Sequence, residues 1–64
     1  MKTIDEVINY LESEINYYDE EILKCYERKS EVESSEMKNV CEELASIYIR
    51  KKIELRKVLY FIKH

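Results

Sequence analysis

Neither glycine nor proline occurs in these 64 residues, and tryptophan is absent as well. Without glycine no position is made for a left-handed turn, and without proline none is made for a rigid one. Folds built from many tight turns have no punctuation here. A single histidine, His64, ends the chain. A histidine at a frayed terminus completes no Ser–His–Asp or Cys–His constellation, and no Glu-x-x-His pair of the di-iron type is present. A phosphate-cradling loop needs glycines that this chain lacks. Two cysteines and one terminal histidine fall short of the three or four ligands a metal site takes. The absences set three expectations: no enzyme, no cofactor and no metal.

Long apolar runs are missing too. The longest, "VLYFI" from Val58 to Ile62, is far shorter than the roughly 20 residues of a membrane span. Near the N-terminus Asp5, Glu6 and Glu12 interrupt any apolar signal-peptide region. The expected location is the cytoplasm, where Cys25 and Cys41 stay as thiols. An interfacial membrane contact through "VLYFIKH" is a weaker expectation.

What is there favours helix. Glutamate, lysine, isoleucine, leucine and tyrosine dominate. Plentiful lysine, isoleucine, tyrosine and asparagine with scarce alanine is the bias of an AT-rich genome, and a phage or mobile element of such a host fits the size. A chain this short buries only about 60% of its unfolded surface and is marginal alone. A disulfide, a metal or a partner subunit usually completes such a scaffold.

Thr3 and Glu6 form a capping box at a helix start. From there Ile8, Ile15, Ile22 and Lys29 recur at heptad position a, with Ile4, Leu11, Tyr18, Cys25 and Val32 at d. A second seam puts Cys41, Tyr48, Leu55 and Ile62 at a, with Met37, Leu44, Lys51 and Val58 at d. Between Val32 and Met37 the phase slips by five residues. One continuous helix would absorb an insertion of three or four, so the chain must turn. The polar stretch from Lys29 to Glu36 is the place, with Ser34 or Ser35 capping the second helix and Asn39 with Glu42 offering a later box. Paired antiparallel, the seams match a to d in every layer, from Ile4–Ile62 through Tyr18–Tyr48 to Cys25–Cys41 and Lys29–Met37. The expected architecture is all-α: an antiparallel two-helix hairpin, dimerising into a four-helix bundle. It forms a single domain over 1–64, with helices about 3–30 and 36–63 and a turn about 31–36.

Charge divides with the hairpin. Residues 1–36 carry eleven acidic and four basic side chains, and residues 37–64 carry three and seven. The basic run "RKKIELRK" (Arg50 to Lys57) therefore reads first as a match for the acidic helix. Glu12 is expected to meet Lys52, and Lys51 to sit in the seam opposite Ile15 between Glu14 and Glu54. Arg50, Lys52, Arg56, Lys57 and Lys63 are the candidate contacts of the alternative reading, RNA binding. In architecture alone, the hairpin resembles the helical-hairpin dimers of plasmid copy-number control, which bind structured RNA.

Apolar residues exceed what one seam uses. Val40, Ile47 and Phe61 flank it at g, and Ala45 and Leu59 at e. Ile49, Ile53 and Tyr60 lie at b and f, nearly opposite. On the first helix Tyr10 and Tyr17 share position c, off the core. Aligned apolar residues on so small a chain point to a second interface. Ile49, Ile53, Tyr60, Tyr10, Tyr17 and Phe61 are the candidate partner or oligomer face. The expected function is a small protein–protein interaction module, homodimeric, that inhibits or regulates a larger protein. Inhibitors of anti-defence or host-takeover type belong to this class.

Overall fold

Thr3 and Ser34 open the two helices of the computed structural model, which describes residues 3–64. Thr3 is extended, and its hydroxyl accepts the Glu6 N–H at 3.2 Å. Helix α1 then runs Ile4–Glu31. Asp5 and Glu6 lie in its first turn and Arg28 and Lys29 in its last, each sign favoured by the helix dipole there. Ser34 repeats the device: its Oγ accepts the Met37 N–H at 3.4 Å, and α2 runs Ser35–Lys63.

The chain reverses in Val32, Glu33 and Ser34 alone, so the connection is shorter than the 31–36 stretch expected. No described residue adopts a positive φ. Val32 and Ser34 take extended ψ angles of 145° and 130° instead, and the Val32 N–H closes on the Arg28 carbonyl. Two extended residues around a glutamate thus do what glycine does elsewhere. Asn39 and Glu42 lie inside α2, so the later capping box is not used.

Helix α1 packs by its expected seam. Leu11, Ile15 and Cys25 are buried, and Ile8, Tyr18, Ile22 and Val32 are half-buried. Ile4, at the open end, is exposed. Helix α2 departs from the expectation. Cys41 and Ala45 are buried, with Tyr48, Ile49, Lys52, Leu55 and Leu59 half-buried. Leu44 and Val58, expected in the seam, are 39% and 48% exposed, and Lys51 faces water. The contact stripe has moved from a and d to a and e. Two physical terms account for the rotation. Ala45, 1% exposed, is the smallest apolar side chain on that side and lets the backbones approach. Rotation also keeps the Lys51 ammonium out of an apolar layer, where an unpaired charge is costly. Lys52 enters the interface in its place and reaches Asp19.

One expected layer survives the rotation. Tyr18 and Tyr48 pack with ring centroids 5.8 Å apart. The result is a rod of 48 × 17 × 14 Å. Its radius of gyration is 14.8 Å, against about 11 Å for a compact chain of this length. No helix among the described residues is long and apolar enough to cross a membrane.

Candidate functional site

The rod has two long flanks, and they differ in chemistry. One flank carries the ion pairs between the helices: Lys52 with Asp19, Lys29 with Glu42, and Lys63 with Glu12 at 3.3 Å. Glu12 therefore pairs with Lys63 and not with Lys52 as expected. All three pairs are partly exposed, a setting in which such contacts contribute about 0–1 kcal/mol each.

The other flank holds a groove between the helices. Tyr10, Glu14 and Tyr18 of α1 line it with Lys51, Glu54, Leu55 and Val58 of α2. Lys51 does not insert opposite Ile15. Its Nζ lies 6.0 Å from the Tyr18 ring centroid, at the edge of cation–π range. Tyr17 packs edge-on against Tyr18 at 5.5 Å. The negative charge of Glu21 is the main reason its hydroxyl is pushed above the ordinary tyrosine range. Along the same flank Val40, Leu44 and Ile47 stand exposed on α2.

A third apolar area covers the back of α2 near its C-terminus. Ile53, Arg56, Lys57, Tyr60 and Phe61 line a shallow groove there. Phe61 is 86% exposed and Tyr60 65%. Tyr60 also stacks on His64, centroids 4.4 Å apart. The arrangement is an apolar centre with two cations beside it.

Of the six residues expected on an outer face, Tyr10, Tyr17, Ile53, Tyr60 and Phe61 are exposed. Ile49 is not: the rotation of α2 turns it half-buried toward α1. The five do not form one surface. Tyr10 lines the groove between the helices, while Ile53, Tyr60 and Phe61 share the back of α2. Leu44 and Val58 join the exposed apolar set, which seam periodicity alone did not reveal. Their neighbours Val40 and Ile47, apolar at g, were the available signal.

Lys52 and Lys63 of the basic set are held in ion pairs. Among the described residues Arg50, Arg56 and Lys57 make none, although Arg50 shares a groove with Glu42 and Glu43. Cys25 and Cys41 are free and buried. Burial, and then the neighbouring Cys41, push the Cys25 thiol above its ordinary range.

Comparison with protein-family models, with curated proteins and with solved structures finds no match.

Proposed function

We propose that this chain is a non-enzymatic protein–protein interaction module. It works as a homodimeric four-helix bundle, and it inhibits or regulates a larger protein bound at the C-terminal back of α2. The observation that carries the reading is the exposure of Tyr60 and Phe61 beside Ile53, Arg56 and Lys57. At about 200 Å² for an aromatic side chain, those two rings alone expose roughly 300 Å². A patch of that size is often functional on a monomer far larger than this one. Aromatic anchors supply most of the energy of an interface, and a cationic edge selects an acidic rim on the partner. The partner surface is thus an apolar depression bordered by carboxylates. Size and composition suit an inhibitor carried by a phage or mobile element.

The test uses the whole chain immobilised in extract of its native host, after nuclease treatment. One protein should be retained, displaced by free wild-type chain, and lost with an Ile53→Glu/Tyr60→Glu variant of unchanged helicity. Retention indifferent to that variant removes the patch from the proposal. Recovery of a defined RNA without nuclease, abolished by alanine at Arg50, Arg56 and Lys57, replaces it with the RNA-binding reading.

A further inference from the structure

We infer that the dimer closes through the groove flank of α2, with a second copy of this chain as its occupant. The inference rests on the dimeric reading above and adds the seam. Leu44, Ile47, Lys51, Glu54, Val58 and Phe61 are all exposed and recur at alternating steps of three and four. Such spacing is a helical seam in its own right, and α1 leaves it uncovered.

The chemistry of this row is palindromic: two apolar residues, a lysine, a glutamate, two apolar residues. A two-fold axis midway between Lys51 and Glu54 lays it antiparallel on its copy. Leu44 then meets Phe61 of the second copy, Ile47 meets Val58, and Lys51 meets Glu54. The symmetry repeats each layer, as an isologous interface requires. A parallel arrangement sets lysine against lysine and glutamate against glutamate. Glu14 shares the groove with Lys51, so each lysine sits between its own Glu14 and the second copy's glutamate.

Area agrees. The chain exposes 5336 Å². A compact fold of its 7.8 kDa exposes about 4400 Å². The surplus of about 900 Å² is close to the roughly 800 Å² that each partner buries in an interface of standard size. Ile53 and Tyr60 stay open in this dimer, while Phe61, which shares their groove, is covered by the second copy. The larger partner therefore binds beside the seam, on Ile53 and Tyr60 with Arg56 and Lys57, and Phe61 stands at the border of the two surfaces.

Sedimentation equilibrium of the full chain, paired with circular dichroism, tests the seam. The wild type should be a dimer. Lys51→Glu sets glutamate against glutamate and should weaken it by on the order of tenfold or more. Lys51→Glu/Glu54→Lys reverses every pair and should restore the wild-type constant. That rescue decides the matter even where a single variant loses helicity with its dimer. Ile47→Glu should abolish association. A wild type that is monomeric at every concentration overturns the seam and the dimeric reading together. A dimer indifferent to Lys51→Glu and Ile47→Glu, or one that the double reversal does not rescue, overturns the seam alone.

Discussion

Ala45 settles how the helices meet, although nothing in its apolar character sets it apart from Val40 or Leu44. Its size does. It is the most buried residue on α2, and the backbones approach over it. Ala45→Leu should overpack that contact and destabilise the chain by about 1–3 kcal/mol. Urea unfolding followed by circular dichroism measures it. A variant as stable as the wild type means that the helices do not close on this residue. Cys25 is the second residue with a distinct signature. Its folded-state pKa lies above that of an unfolded thiol, chiefly through burial. The folded chain therefore holds this proton more tightly than the unfolded chain. Its contribution to stability is complete below the unfolded thiol pKa of about 8.5 and is lost as pH rises through the folded value. The urea midpoint should fall between neutral and alkaline pH, and Cys25→Ser should flatten the part of that slope owed to the thiol. An identical slope in the two proteins removes Cys25 from the account. Alkylation in the native state should also be slow at neutral pH, because the thiolate is scarce and covered.

At the scale of the helix, periodicity made α1 legible and left α2 ambiguous. In α1 the apolar residues at a and d form one stripe, with charged residues beside it, and that stripe is the buried one. In α2 apolar residues occupy a, d, e and g. Two stripes of similar width then compete for α1, and a count of apolar positions cannot separate them. Side-chain volume at Ala45 and charge at Lys51 choose between them, and neither enters a binary pattern. The same ambiguity placed Ile49 outside and Leu44 and Val58 inside. The capping residues were readable, because Thr3 and Ser34 each accept an N–H three residues on. Truncation separates true core from exposed flank. Leu11→Ala, Ile15→Ala and Leu55→Ala should cost about 2–4 kcal/mol each. Leu44→Ala and Val58→Ala should cost less than about 1 kcal/mol in dilute solution, since each side chain is already part-solvated. The measurement is the urea midpoint at low protein concentration. Equal losses at Leu44 and Leu11 would restore the a/d seam and refute the rotation.

For the molecule as a whole, the question is what stabilises a rod with so little interior. Among the described residues five are buried: Leu11, Ile15, Cys25, Cys41 and Ala45. The ion pairs between the helices are exposed and add little. Helix propensity adds a few tenths of a kcal/mol per residue and does not by itself hold two helices together. A hairpin of this kind is marginal alone, and association is the remaining source of buried apolar area. If unfolding dissociates a dimer, stability is inseparable from concentration. Each tenfold rise in concentration then favours the folded dimer by about 1.4 kcal/mol. For a bundle of two such chains that corresponds to a rise of a few degrees in Tm. Thermal scans over a hundredfold range of concentration should therefore shift upward together, with the shift abolished by Ile47→Glu and recovered in Lys51→Glu/Glu54→Lys. The same chain should gain helicity on concentration before any heating begins, if its monomer is partly unfolded. A Tm that stays constant across the range, at full helicity, would mean that five buried side chains and two well-capped helices suffice. The exposed row from Leu44 to Phe61 would then have to belong to another partner.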